Sequence, residues 1–265
     1  MLPLICIDVD GTLVGSSHVP TDAVWAAAEA AVARGQHLAL STARGAFGVT
    51  MDYARRLDPN GWHIFHNGSS LVHTGSGEIR SRVLPAEALA QALEVAERSG
   101  WVLEVYSADD YIADTDADAA IEHAAMLGLE HAPRSLDTLD GDVVRVQFVV
   151  PLEVTKWVQS EMAGVGVDVV SATSPVMPGT AFVSCTTAGI TKGTAIEAIA
   201  AELGTTADRA MMVGDGPNDL DAVKAAGHGV AMGNAVQELK DIAGHVVADV
   251  DNDGLAEALE LSATL

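Results

Sequence analysis

The sequence contains few positively charged residues. Its 265 residues include 14 Lys and Arg against 37 Asp and Glu, so the formal net charge at pH 7 is −23. Nucleic acid binding depends on clustered Lys and Arg, and this balance therefore excludes nucleic acid as the expected partner. If the substrate is itself an anion, a local positive charge, such as a bound metal ion, must attract it.

Cysteine and long apolar runs are also scarce. The cysteines Cys6 and Cys185 each lie inside an apolar run, which favours reduced and buried thiols over a disulfide framework. The first residues lack the basic start and the small-residue cleavage site of a signal peptide. No apolar run approaches the roughly 20 residues that a membrane helix needs. We therefore expect a cytoplasmic protein with no membrane partner.

Short apolar runs alternate with helical segments at both ends of the chain. Strand-like runs at 4–9, 37–42 and 62–65 are separated by helical stretches, and the same alternation returns after residue 190. Strand–helix repeats with short connections are typical of a parallel sheet covered by helices. The fold class predicted for these two segments is α/β, with a doubly wound parallel sheet as the core.

The pattern is different in the middle of the chain. Residues 84–187 mix helices and strands in the manner of an α+β unit. We therefore predict one core domain built from residues 1–83 and 188–265, with a second domain, residues 84–187, inserted into it.

Two acids follow the first apolar run. Asp8 and Asp10 are two residues apart, so their side chains face the same way on an extended strand. Like charges this close repel each other by several kcal/mol at low effective dielectric. A hard divalent cation relieves the repulsion, and Mg²⁺ shared between carboxylates and phosphate oxygens is the commonest solution. The alternative is that both acids only cap a turn before Gly11.

A second acidic cluster lies far away in the sequence. Another apolar run ends in Gly214 and Asp215, and Asp219 stands at the start of the next helix. Asp219 alone could be an N-terminal helix charge. The carboxyl ends of neighbouring parallel strands form one edge of a sheet, where open α/β folds bind ligands. The two clusters together would supply three or four carboxylates to one cation.

Phosphate-compatible groups lie between the two clusters. Thr42 ends the second apolar run, and its hydroxyl can donate to a phosphoryl oxygen, with Ala43 and Arg44 directly after it. Lys192 opens a helix and can offer a positive charge at that helix's N-terminus. Each of these is a weak signal alone, because Thr and Lys at element ends are usually caps or solvated side chains.

The order and spacing of these residues resemble the haloacid-dehalogenase-type phosphatases. In chain order, the four matching motifs are "DVDGTL" at 8–13, "STAR" at 41–44, Lys192, and "GDGPND" at 214–219. The stretch "GVAMGNAVQELKDIA" at 229–243 resembles the Cof-type, or class IIB, branch. In that branch an α+β cap is inserted between the second and third motifs, which is where residues 84–187 lie.

The resemblance implies catalytic roles. Asp8 would be the nucleophile that forms an aspartyl-phosphate, and Asp10 would be the general acid and then the general base. Thr42 and Lys192 would stabilise the charge on the phosphoryl oxygens. The substrate- and phosphate-binding set implied by the motifs is Gly11, Thr42, Ala43, Arg44 and Asn218. Ala43 departs from the family, which usually has Gly there, and its methyl group narrows the turn.

The resemblance also implies Mg²⁺ as the cofactor. Asp8, Asp215 and the Asp10 carbonyl would hold the ion, with Asp219 as a further ligand or as an anchor behind the ligands. The expected substrate is a small soluble phosphate, with sugar phosphates first by family analogy. We expect a monomer or a weak homo-oligomer.

Two other functions are compatible with the same residues. A phosphomutase would use the same aspartyl-phosphate but would protect it from water. A non-catalytic phospho-receiver also pairs an acidic pocket with Thr and Lys, but it lacks an acid two residues after its phosphorylated Asp. Asp10 therefore argues against the receiver.

Overall fold

The computed structural model describes residues 1–174 and 176–265, which cluster into two compact units. The first unit comprises Met1–Arg44, Asp52–Arg80 and Thr191–Leu265, and the second comprises Gly45–Met51 and Ser81–Ile190. Along the chain, the strands and α-helices are β1 (Leu4–Ile7), α1 (Asp22–Ala33), β2 (His37–Leu40), α2 (Gly48–Leu57), β3 (Trp62–Phe65), β4 (Ser70–His73), β5 (Ile79–Ser81), α3 (Ala86–Ser99), β6 (Val102–Tyr106), β7 (Tyr111–Ala113), α4 (Asp118–Met126), β8 (Arg145–Pro151), α5 (Thr155–Glu161), β9 (Val167–Thr173), β10 (Thr180–Thr187), α6 (Lys192–Glu202), β11 (Ala210–Gly214), α7 (Leu220–Ala225), β12 (His228–Ala231), α8 (Gln237–Ile242), β13 (His245–Val246) and α9 (Gly254–Leu261).

The first unit is built on a parallel sheet with the strand order β13-β12-β11-β1-β2. β11 is the middle strand, and β1 lies between β11 and β2, with its Cys6 opposite Met212 of β11 and Ala39 of β2. Every residue of β1 and β11 is buried, which explains why both read as continuous apolar runs rather than as alternating ones. The α/β class predicted from those runs is confirmed.

β3 departs from the prediction that it extends the parallel sheet. It is joined to the end of β2 by one parallel bridge, between Ser41 and Ile64, and its full pairing is antiparallel to β4. β3, β4 and β5 form a small sheet of their own in that order. The sequence pattern shows that a strand exists here, but strand partners depend on the path of the connections.

Capping residues fix the ends of the helices that matter for the site. Thr21 precedes α1, and its side chain accepts a hydrogen bond from the Val24 N–H at 3.2 Å. Thr191 precedes α6 and forms a reciprocal capping box with Thr194. The box starts α6 at Lys192, so this lysine occupies the first turn of the helix.

The second unit is an α+β structure, as the sequence predicts. Its antiparallel sheet has the strand order β7-β6-β8-β10-β9. One face carries a continuous apolar cluster that includes Val95 of α3, Phe148 of β8 and Val158 of α5. A 3₁₀ turn, Leu152–Val154, lies directly before α5.

Candidate active site

The acids of both sequence clusters meet at the carboxyl edge of the parallel sheet. β1 and β11 are neighbours with Ile7 opposite Val213, so Asp8 and Asp215 leave the sheet side by side. Carboxylate oxygens of Asp8, Asp215 and Asp219 all lie within 4.8 Å of one another. The structure therefore brings together in one place the carboxylates that the sequence separates by about two hundred residues.

Lys192 is the cation at the centre of this cluster. Its Nζ donates to Asp8 Oδ1 at 2.6 Å and to Asp219 Oδ1 at 2.6 Å, and its side chain is fully buried. Burial alone would lower the pKa of Lys192, but Asp219 and Asp8 outweigh it and raise that pKa. Lys192 is therefore a fixed positive charge, held against the carboxylate proposed from the sequence as the nucleophile.

One lysine does not neutralise three carboxylates. Burial raises the pKa of Asp8 well above its usual range, and the charge of Asp219 adds to this effect. Burial also raises the pKa of Asp215 to about 6, again with a contribution from Asp219. The cluster thus holds excess negative charge in a poorly solvated place, which is the condition that a hard divalent cation satisfies.

Asp219 is the most firmly held of the three acids. Its Oδ2 accepts the backbone N–H groups of Asp215 and Gly216, each at 3.0 Å, while its Oδ1 receives Lys192. A Cβ on Gly214 would lie 2.5 Å from Asp219 Oδ2, so this position accepts only glycine. These bonds occupy both oxygens and favour Asp219 as an anchor of the loop over a direct metal ligand.

Asp215 is held by neutral donors. The Thr12 hydroxyl donates to its Oδ1 at 3.3 Å, and the Asn234 side-chain amide donates to its Oδ2 at 3.3 Å. Gly11 has a φ of +85°, and a Cβ there would collide with the Asp215 carboxylate. Asp215 has a raised pKa and, among the described residues, forms no ion pair. Its oxygens also have free lone pairs, and a carboxylate of this kind fits a divalent metal ligand.

Asp10 points away from the buried cluster. Its side chain is 65% exposed and forms a two-pronged ion pair with Arg44, from Nε to Oδ2 at 3.0 Å and from Nη2 to Oδ1 at 2.5 Å. The Arg44 backbone is fixed in turn, because its N–H donates to Thr42 Oγ1 and its carbonyl accepts the His66 N–H. The sequence motifs place Arg44 in the phosphate-binding set, whereas in this structure its guanidinium holds Asp10.

The predicted phosphate-binding residues follow the second strand. Thr42 is buried, and its backbone carbonyl accepts the Asn67 N–H at 2.9 Å, with Ala43 half-buried behind it. Asn67 has a φ of +54° and accepts from the exposed Asn218 side chain at 3.5 Å. Asn67 therefore links the second and fourth motifs.

Sequence reasoning missed three features of the site. They are the hydroxyl of Thr12, the amide of Asn234 and the ion pair between Arg44 and Asp10. Thr12 lies in the first motif, so its position in the sequence could have indicated that it belongs to the site. Asn234 is a polar residue in a loop whose path the sequence does not show.

The chain forms a parallel sheet with acids and a buried lysine at its carboxyl edge, and an α+β segment is inserted between the parts that form this sheet. These features together define the class of haloacid dehalogenase-like enzymes. A sequence model of the haloacid dehalogenase-like hydrolases matches residues 5–259, and the chain belongs to this family. The expectation of an enzyme is confirmed by this membership. Among the described residues, no helix combines the length and the apolar composition needed to cross a bilayer.

Three similar proteins cover nearly the full chain. YxeH of Bacillus subtilis (strain 168) is 25% identical over 98% of this chain and 97% of its own length. The HMP-PP phosphatase of Cronobacter sakazakii (strain ATCC BAA-894) is 27% identical over 90% of this chain and 87% of its own length. The structure of the HAD subclass IIB sugar phosphatase BT4131 superposes with a TM-score of 0.82 at 23% identity, covering 99% of each chain. The predicted α/β fold is confirmed by this likeness.

Proposed function

We propose that the protein is a Mg²⁺-dependent phosphomonoester hydrolase that works through an aspartyl-phosphate on Asp8. The observation that carries the proposal is Asp8 itself, a buried carboxylate held by Lys192 inside a three-carboxylate cluster, with the exposed Asp10 two residues later. The names of its full-length relatives support phosphatase activity.

The first step breaks the ester bond. Lys192 holds Asp8 Oδ1, which leaves Oδ2 as the oxygen that attacks phosphorus. As the new phosphorus–oxygen bond forms, the bond to the leaving oxygen breaks, and Asp10 gives that oxygen a proton. Arg44 pairs with both oxygens of the ionised Asp10 carboxylate. When Asp10 acts as the acid, one oxygen carries the proton and gives up its bond to Arg44, while the other bond still orients the group.

The second step releases inorganic phosphate. Asp10 now accepts a proton from a water molecule, whose oxygen attacks phosphorus while the bond to Asp8 breaks. The phosphoryl oxygens would be bound by the Thr42 hydroxyl and by the Lys192 ammonium. The loops after the strands would complete the same phosphate-binding site with Gly11, Ala43 and Asn218.

The residues present fit a divalent cation. Asp8 and Asp215, with the backbone carbonyl of Asp10, would hold Mg²⁺, and Asp219 would fix the loop that carries Asp215. When bound, Mg²⁺ supplies positive charge that offsets the charge of the phosphoryl group. A local cation is also consistent with a chain of net charge −23 that must attract an anion.

The proposed substrates are small soluble phosphate esters, with sugar phosphates first. The likeness to a sugar phosphatase of subclass IIB supports this choice.

Phosphate release from a panel of sugar and nucleotide monophosphates tests the proposal. Wild type, Asp8→Asn and Asp10→Asn would be compared with Mg²⁺ and with EDTA, and each protein's fold checked by circular dichroism. We expect metal-dependent turnover that Asp8→Asn abolishes and Asp10→Asn reduces by about 10²-fold or more. Borohydride reduction of acid-quenched enzyme should convert phosphorylated Asp8 to homoserine. Turnover that survives in Asp8→Asn would contradict the covalent route.

A further inference from the structure

Asn234 lies outside the four motifs, in the loop between β12 and α8. Its Nδ2 donates to the Gly11 carbonyl at 2.8 Å and to Asp215 Oδ2 at 3.3 Å. Its Oδ1 accepts the backbone N–H of Val250 at 3.0 Å. One exposed side chain thus connects the turn after β1, the loop after β11 and the segment before α9.

The orientation of the Asn234 amide is determined by backbone groups. The Val250 N–H can only donate, and the Gly11 carbonyl can only accept. The amide oxygen must therefore face Val250, and the NH₂ group must face Gly11. It follows that Asp215 receives a donor from Asn234 and not a repelling oxygen.

Asn234 and Thr12 hold opposite oxygens of the same carboxylate. Thr12 donates to Asp215 Oδ1 and Asn234 donates to Oδ2, so together they set the rotation of the carboxylate plane. Both donors are neutral, so they orient Asp215 without neutralising it. A charged donor in their place would compete with a cation for the carboxylate.

Asn234 also fixes the distance between two groups that would bind the same ion. The Gly11 carbonyl comes directly after the Asp10 carbonyl, and Gly11 packs against Asp215 too closely for any side chain. By bonding to both Gly11 and Asp215, Asn234 prevents the first and fourth motifs from moving apart.

We infer that Asn234 is a positioning residue for a hard divalent cation, which it serves by aligning Asp215 with the Asp10–Gly11 turn. The inference rests on the proposed function, because it assumes that Asp215 is a metal ligand. Partners that orient metal ligands typically account for 10- to 100-fold in metal affinity.

Isothermal titration with Mg²⁺, in the absence of substrate, tests the inference. The variants are Asn234→Ala and Asn234→Leu, of which the second keeps the branched shape of the side chain without its polar atoms. Asn252→Ala is the matched control, since Asn252 is also exposed but donates only to its neighbour Asp249. Thermal unfolding in EDTA checks that each metal-free protein is folded.

We expect both Asn234 variants to bind Mg²⁺ about 10-fold or more weakly than wild type, and Asn252→Ala to bind within about 2-fold. The Mg²⁺-induced rise in Tm should shrink in parallel for the Asn234 variants alone. Wild-type affinity in folded Asn234→Ala or Asn234→Leu would overturn the inference and leave the proposed function standing. A wild-type protein that binds no Mg²⁺ would overturn both.

Discussion

At the scale of single residues, the site separates two kinds of carboxylate. Asp8 is buried and tied to a lysine, whereas Asp10 is exposed and tied to an arginine. The sequence shows both acids, because each follows an apolar run. It does not show their partners, since Lys192 reaches Asp8 from the first turn of α6 and Arg44 reaches Asp10 from the loop after β2.

The pair between Arg44 and Asp10 predicts an effect that depends on the leaving group. If Arg44 acts by orienting Asp10, Arg44→Ala should slow hydrolysis of alkyl phosphates by roughly 10- to 100-fold. Hydrolysis of p-nitrophenyl phosphate should slow much less, because its leaving oxygen needs little protonation. Steady-state kcat on both substrates measures the contrast.

Arg55→Ala is the control for this prediction, because Arg55 is an exposed arginine of α2 paired only loosely with Asp52 at 3.7 Å. The double variant of Arg44→Ala with Asp10→Asn should be no slower than Asp10→Asn alone. The opposite result has two parts: Arg44→Ala slows both substrates equally, and the double variant is slower than Asp10→Asn. That result would show that Arg44 binds the phosphoryl group directly.

His63 predicts a pH dependence of stability. Its Nδ1 accepts the Leu40 N–H at 3.0 Å, and its Nε2 donates to the Asp58 carbonyl at 3.0 Å, so the ring is neutral in the fold. Burial lowers the pKa of His63 from its usual 6.5 to about 4. Between these values the unfolded chain binds the extra proton, so stability falls as the pH falls from about 6.5 to about 4.

The size of this effect can be measured by comparing two proteins. From pH 7 to pH 5, His63 should cost about 2 kcal/mol of unfolding free energy. His63→Asn removes the titrating ring, so urea unfolding of the variant should lose less stability over this range than wild type. Identical pH profiles for the two proteins would refute the assignment.

At the scale of elements, strand ends and caps place the catalytic groups. The ends of β1 and β11 were predictable, since continuous apolar runs interrupted by Gly and Asp mark buried parallel strands. The pairing of β3 was not predictable, because its four residues are apolar whichever partner they take. Register and partners depend on contacts that are distant in sequence.

The capping box of α6 predicts a modest and specific loss. Thr191→Ala removes the bond from the Thr194 N–H and should lower the free energy of unfolding by about 1 kcal/mol. Thr191→Ser keeps the hydroxyl and should restore most of that difference. Because the box begins the helix at Lys192, turnover should fall more in Thr191→Ala than in Thr191→Ser. Chemical denaturation and kcat are the two measurements.

At the scale of the whole molecule, the long segment of the second unit, Ser81–Ile190, begins and ends at neighbouring positions. The Thr187 hydroxyl donates to the Val83 carbonyl at 3.0 Å, so the two ends of this segment lie side by side. Adjacent termini and a separate apolar core are the properties of a domain that can fold alone.

We expect a fragment of residues 81–190 to be soluble and to unfold cooperatively on heating. Circular dichroism and the dispersion of amide signals in an NMR spectrum would show this. The same fragment with Phe148→Asp, which places a charge in its apolar cluster, is the control and should not fold. A wild-type fragment without cooperative unfolding would mean that the insertion depends on the rest of the chain.

The shared lysine has a consequence for how the fold is stabilised. Lys192 donates to Asp8 and Asp219 together, while Asp215 is held by neutral donors and forms no ion pair among the described residues. At this sheet edge the pairing of the strands brings together like charges that repel one another, which is a patch of local frustration in the energy landscape. A bound cation relieves the conflict while the carboxylates stay ionised, so the selection that keeps this protein active works against the selection that would make its metal-free form stable.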